Sequence, residues 1–203
     1  MRALSISKRA DPAFLAAFKT LARKLARSAK ADPAEPIVMF LAGGAAMHLY
    51  TGARISDDVD AVYSKRLLMP PDSAVIYRDG EGNARSIHLD PNYNDTFALM
   101  HEDARDDALE LALKVEGIRV MVLQPVDLAV SKLARFGEID RQDIVDLARN
   151  GLVTAKALRK RAADALPGYV GDLAAVRNSI DIACRDIEAA RTGARRRKRR
   201  RSP

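Results

Sequence analysis

The segment from Ile37 to Tyr63 constrains the fold of this 203-residue chain more than any other. Ile37-Val38-Met39-Phe40-Leu41 is a short continuous apolar run, the pattern of a buried strand. It ends at Gly43-Gly44. Ala45 to Tyr50 has helical composition, and Gly52 stands where it would end that helix. Val59 to Tyr63 then reads as a second strand. Strand, Gly-Gly turn, short helix and strand place the first part of the chain in the α/β or α+β class.

The rest of the chain divides around that unit. Asp11-Pro12 reads as an N-cap followed by proline at the first helical position. Phe14, Phe18, Leu21 and Leu25 form one apolar stripe, which predicts a helix to about Ser28. Lys19, Arg23, Lys24 and Arg27 lie off the stripe, on either a solvated or a nucleic-acid face. Ala31 to Pro36 is a linker. Ser73–Tyr77 and Arg85–Leu89 read as a hairpin around the turn-rich Asp79–Asn83. Pro91 to Asp107 is polar and irregular, and Ile118–Leu123 is a β-branched run. Beyond Gln124-Pro125 the pattern becomes helical. Val126 to Phe136, Ile139 to Ala148, Ala155 to Leu166 and Leu173 to Cys184 are four candidate helices. The expected organisation is an N-terminal flanking helix (1–35), an α/β core of a small mixed sheet with flanking helices (36–124), a helical domain (125–192) and a disordered polybasic tail (193–203).

Charge supports that division. The chain has 34 Lys+Arg against 27 Asp+Glu, a formal net charge of +7. Seven of those positive charges form the run Arg195 to Arg201, so the rest of the chain is formally neutral. The basic balance therefore belongs to the tail and not to the fold. Apolar residues make up 48% of the chain, enough to argue against disorder. No apolar run approaches the roughly 18 to 20 residues that cross a bilayer, so no membrane insertion is expected. The first residues lack a signal-peptide pattern. The one cysteine, Cys184, excludes an internal disulfide, and a cytoplasmic location is the expectation. His48, His88 and His101 stand too far apart in sequence for a structural zinc site. His48 and His88 read as packing or hydrogen-bonding residues.

The chemistry lies between the first two strands. Two glycines between a strand and a helix let the backbone approach a ligand closely. The helix that follows offers free N–H groups and a positive dipole end to an anion. Asp58 and Asp60, two apart on a strand, point to one face. Two carboxylates beside a phosphate cradle suit Mg²⁺, which takes a few carboxylates, water and phosphate oxygens. Two such ions clamp the attacking and leaving oxygens of an in-line displacement at phosphorus. Arg54 either touches a phosphate or pairs with Asp57 or Asp58.

Gly43-Gly44 followed by Asp58-Val59-Asp60 resembles the signature of the nucleotidyltransferase superfamily, which shares a DNA-polymerase-β-like core. The thirteen residues between the two motifs are at the long end of that family's range. The resemblance implies that Gly43, Gly44 and Ser56 contact the triphosphate of an NTP substrate and that Asp58 and Asp60 hold the metals. It also implies a third carboxylate on a later strand. Asp90 is the candidate, since His88 and Asp90 share one side of their strand, and Glu116 is the alternative.

Pro125 to Arg135, followed by Asp140-Arg141-Gln142-Asp143-Ile144, resembles the helical part of AbiEii-like nucleotidyltransferases, a group that includes toxins of toxin–antitoxin pairs. On that resemblance Lys132 meets the triphosphate, the alternative being a solvated helix lysine. Asp143 either belongs to the site or lies on a helix surface, as a partner for Arg141. The function implied is Mg²⁺-dependent transfer of a nucleoside monophosphate to an RNA (tRNA) or protein hydroxyl, with an antitoxin protein as partner. The rival reading is a catalytically degenerate RNA-binding or regulatory protein of the same fold. The arginine tail is an RNA anchor, a targeting or membrane-surface patch, or a solubility feature.

Overall fold

Asp11 begins the first helix as its sequence predicts. In the computed structural model, which describes residues 2–70 and 73–199 and no side chain from 193 onward, Asp11 Oδ1 accepts from the Ala13 N–H at 2.8 Å. Pro12 opens the helix α1, Pro12–Ser28. The stripe of Phe14, Phe18, Leu21 and Leu25 is fully buried. Each such side chain contributes roughly 1.5–3 kcal/mol of transfer free energy.

Seven strands follow, with a helix after the first: β1 (Ile37–Leu41), α2 (Gly43–Thr51), β2 (Asp58–Val59), β3 (Ala61–Tyr63), β4 (Ala74–Arg78), β5 (Ala84–Leu89), β6 (Leu109–Val115) and β7 (Ile118–Val122). They form two mixed sheets. One has the order β3-β1-β7-β6, the other β2-β5-β4. β1 and β7 run parallel at the centre of the first sheet, in register from Ile37↔Ile118 to Leu41↔Val122. Ile37, Met39, Leu41, Val120 and Val122 are buried there, as the apolar run predicted. The α1 helix packs against β4, β5, β6 and β7, so it touches both sheets.

Two features depart from the sequence reading. The strand expected over Val59–Tyr63 is divided. Asp58 and Val59 pair with β5, whereas Ala61 to Tyr63 pair with β1. Asp60 is the residue between the two sheets, and its carbonyl accepts from the Ala42 N–H at 2.9 Å. The second feature is β6, a strand inside a stretch that showed no strand signal. Its leucines, alanine, glutamate and lysine favour helix, and pairing with β7 overrides that preference. A register shift interrupts the pairing between Leu111 and Val115. Gly117 turns the chain into β7 at φ 73. An added Cβ there would lie 2.7 Å from that of Ala31. Lys114 on β6 and Lys30 after α1 hold left-handed backbone at φ 53 and 47 without being glycine. Each such residue costs roughly 1–2 kcal/mol.

The hairpin expected around Asp79–Asn83 is present, with β4 and β5 antiparallel. Asp79 Oδ1 accepts from the Glu81 and Asn83 N–H groups and closes the turn. Asp11 Oδ2 accepts from the Gly80 N–H, joining this turn to the start of α1.

By its internal contacts the chain forms two units, Met1–Asn94 with Arg105–Leu123, and Asp95–Ala104 with Gln124–Pro203. The second contains α3 (Pro125–Ser131), α4 (Glu138–Arg149), α5 (Ala155–Ala165) and α6 (Leu173–Arg199). The helix expected to reach Phe136 stops at Ser131, where Lys132 caps it. The α6 helix packs on α4 and α5 through Val176, Ile180, Ala183, Cys184 and Ile187. Arg161 holds the buried Asp127 through two hydrogen bonds, of 2.6 and 3.1 Å. The expected disordered tail falls on residues 193–203. Their side chains, and the backbone from residue 200, lie outside the described residues. Among the described residues no helix is long and apolar enough to cross a membrane.

Candidate active site

The Gly-Gly turn is closed by the side chains that the sequence singled out. Gly43 has φ 55, a backbone that glycine adopts without cost. A Cβ added to it would lie 2.6 Å from Asp60 Cγ and would overlap Asp60 Oδ2. A Cβ on Gly44 would lie 2.6 Å from Ser56 Oγ and 3.0 Å from Arg54 Nη1. Asp60, Ser56 and Arg54 therefore converge on two glycines at the start of α2. The residue ahead of them, Ala42, has no side-chain oxygen to cap the helix. This end of α2 combines backbone donors, a hydroxyl, a guanidinium and a carboxylate.

Asp58 lies on the same side. Val59 and Ala61 are buried, while Asp58 is exposed and Asp60 half-buried, so the alternation survives the change of sheet. Asp58 Oδ1 lies 2.7 Å from His88 Nε2. That pair follows from the parallel register Asp58↔His88, Val59↔Leu89. Sequence reading gave His88 no part in the site. Its only local signal was the shared strand face with Asp90, and the register with β2 is non-local. Continuing the register by one residue brings Asp90 abreast of Asp60, and the Asp90 N–H donates to the Val59 carbonyl at 3.2 Å. Asp90 Oδ1 accepts from the Asn92 N–H. Asp90 also lines a pocket of about 370 Å³ with Tyr63, Lys65, Arg66 and Tyr93. Burial pushes the Tyr63 phenol well above its ordinary value, which keeps it neutral. Glu116 sits in the β6–β7 turn, at the other end of β1 from Gly43. Only Asp90 of the two candidate third carboxylates adjoins Asp60.

The carboxylates of Asp58 and Asp60 are the groups that would meet a divalent ion at this end of α2. Among the described residues no three His, Cys, Asp or Glu side chains are grouped to hold an ion. A zinc site needs such a group. Magnesium takes one or two carboxylates and completes its six ligands with water and phosphate oxygens. Asp58 and Asp60 would offer two carboxylates to such an ion beside the start of α2.

His48 explains how the loop bearing Arg54 and Ser56 is held. The ring is buried in α2 and packs edge-on against Phe14, with centroids 4.7 Å apart. Nε2 accepts from the Asp11 N–H at 2.8 Å, so Nδ1 carries the proton donated to the Arg54 carbonyl at 2.9 Å. Burial holds the imidazole below its ordinary pKa, although the Arg54 carbonyl and Asp11 pull the other way. The folded state therefore favours neutral His48. Its contribution is complete above the unfolded value of about 6.5 and is lost as pH falls through the lower folded value. Urea unfolding is expected to show a loss of stability as pH falls below about 6.5 that His48→Leu lacks. Parallel pH profiles for wild type and variant would contradict this role.

The remaining candidates lie in the helical unit. Lys132 is 6% exposed, with Nζ 2.7 Å from Asp143 Oδ2 and 3.6 Å from Asp140 Oδ1. Asp143 and Asp140 are buried. Arg135 donates to both Asp140 oxygens, at 2.8 and 2.7 Å, and the Gly137 N–H donates to Oδ2. Burial raises the Asp140 pKa, but Arg135, Lys132 and the Gly137 N–H outweigh it and hold the carboxyl below the usual range. Arg141, the expected partner of Asp143, instead meets Asp186 on α6.

No curated protein and no solved structure was found to match the chain. A family model described as "Nucleotidyltransferase of unknown function (DUF6036)" matches residues 16–183, which include both sheets, the Gly-Gly turn, both aspartates and most of the helical unit. With so much of its length matched, the chain belongs to this nucleotidyltransferase family.

Proposed function

We propose that the protein transfers a nucleoside monophosphate from an NTP to a hydroxyl of RNA, tRNA included, in a Mg²⁺-dependent reaction. The carrying observation is the convergence of Asp60, Ser56 and Arg54 on Gly43-Gly44 at the start of α2. In this reading the glycine backbone and the α2 N–H groups cradle the triphosphate. Ser56 donates its hydroxyl to a phosphate oxygen, and Arg54 adds positive charge. Asp58 and Asp60 would hold the metal, which neutralises charge developing on the phosphates. The acceptor oxygen attacks the α-phosphorus as the bond to the α,β-bridging oxygen breaks. Pyrophosphate leaves, and the acceptor's proton passes to Asp90. Lys132 and Asp143 have less support as ligands, since they already face each other. The AbiEii-like resemblance adds a toxin role and an antitoxin partner to this proposal.

One observation favours a second reading. Asp58 is already engaged by His88, at 2.7 Å. That arrangement also fits a degenerate member that binds RNA without turning over. The discriminating experiment incubates the protein with each α-labelled NTP, Mg²⁺ and total RNA, beside Asp58→Ala/Asp60→Ala. Label on RNA in the wild type alone is the expected result. Label on protein would move the acceptor to a protein hydroxyl. No label, with NTP binding equal in wild type and variant, would sink the catalytic reading.

A further inference from the structure

The β-containing unit has a second concave site, at the end of its four-stranded sheet away from Gly43. The last turns of α1 and the β6–β7 turn enclose a pocket of about 480 Å³, with Arg23, Arg27, Lys30, Lys114 and Glu116 as its charged lining. Among the described residues, none of these four cations has a carboxylate partner. Lys24, on the same helix, is used internally and donates to the Ala74 carbonyl at 2.8 Å. Toward the end of α1, Lys24 thus serves the fold, whereas Arg23 and Arg27 are exposed. Glu116 and the negative end of the α1 dipole offset about one and a half of the four charges, which leaves a net excess of about +2.5. Two of the four, Lys30 and Lys114, occupy left-handed backbone. Strained non-glycine residues gather where function keeps them. Arginine pairs suit the forked geometry of phosphate oxygens.

We propose that this pocket binds the phosphodiester backbone of the acceptor RNA. The pocket and Gly43 flank opposite ends of β1, whose five residues span roughly 16 Å. A mononucleotide or a small drug does not reach both, whereas an RNA of several nucleotides does. The assignment rests on RNA as acceptor in the function proposed above, but its test needs neither NTP nor metal.

The test uses the full-length chain with residues 195–201 changed to serine, so that the tail contributes no charge. Fluorescence anisotropy with a tRNA-length RNA in EDTA is measured across KCl concentrations. The pocket variant is Arg23→Gln/Arg27→Gln/Lys30→Asn/Lys114→Asn. Asparagine tolerates the left-handed positions, so the fold is kept, and thermal unfolding checks this. The expected result is a log–log salt slope smaller by about 2–3 and affinity weaker by roughly 10-fold or more at low salt. An unchanged slope and affinity would overturn the proposal. So would polyglutamate binding that is as tight as RNA and lost in the same variant, which would make the ligand an acidic protein. Pocket-dependent RNA binding without nucleotidyl transfer would support the pocket and count against the catalytic reading alone.

Discussion

Gly43→Ala is expected to lower kcat/KM for nucleotidyl transfer by about 10³-fold or more while the chain stays folded. An added Cβ at Gly43 overlaps Asp60 Oδ2 and comes within 2.6 Å of its Cγ. The φ of 55 adds a cost of roughly 1–2 kcal/mol for any L side chain. The Asp60 Cβ also lies 2.8 Å from the added atom, so turning the carboxylate is not enough and the whole Asp60 side chain is displaced from the helix end. Charge stabilisation at such a position contributes several kcal/mol to a transition state, and each 1.36 kcal/mol is about tenfold in rate. Asp60→Asn should show a similar loss without the steric term. The two effects separate in a double-mutant cycle. In Gly43→Ala/Asp60→Gly the clash has lost every side-chain partner, Cβ included, so the stability losses should fall short of additive by about 1 kcal/mol or more. Urea unfolding gives the coupling and steady-state kinetics give the activity. Additive stabilities, or a Gly43→Ala enzyme of normal rate, would show that Asp60 does not need the space above Gly43.

Local signals in the sequence specify each element at the site, and non-local pairing specifies how they meet. Asp11-Pro12 and the stripe from Phe14 to Leu25 mark α1 because capping and helical period act within a few residues. Gly43-Gly44 marks the turn for the same reason. The division of the second strand at Asp60 has no local signal, because it depends on Val59 meeting Leu89 and Ala61 meeting Leu41. The Asp58–His88 pair needs that same register. The β6 strand is hidden because its composition favours helix until β7 pairs with it. Lys132 illustrates the opposite hazard. Its motif context is legible, but the acids eight and eleven residues downstream become its neighbours only when the chain turns between α3 and α4.

That turn gives Lys132 its largest expected effect. Lys132→Met should cost about 3–5 kcal/mol, because it removes the buried cation nearest two buried carboxylates. Asp140 retains Arg135 and the Gly137 N–H, and Asp143 loses the cation 2.7 Å from its Oδ2. Replacing the pair together, as Lys132→Met/Asp143→Leu, should recover most of the loss, since apolar residues of similar volume replace a buried ion pair at little net cost. The pH dependence carries the same sign. The Asp140 carboxyl is held below its ordinary value, so its contribution is present above about pH 4 and is lost as pH falls through the folded value. The part of the Lys132→Met deficit that runs through Asp140 should therefore narrow in acid, where Asp140 takes up its proton. A lysine kept for the triphosphate behaves differently. It would leave unfolding within about 0.5 kcal/mol of wild type and lower kcat/KM instead. Paired measurement of stability and turnover on this one variant separates the two roles, because a carboxylate 2.7 Å away makes the lysine part of the fold before any substrate arrives.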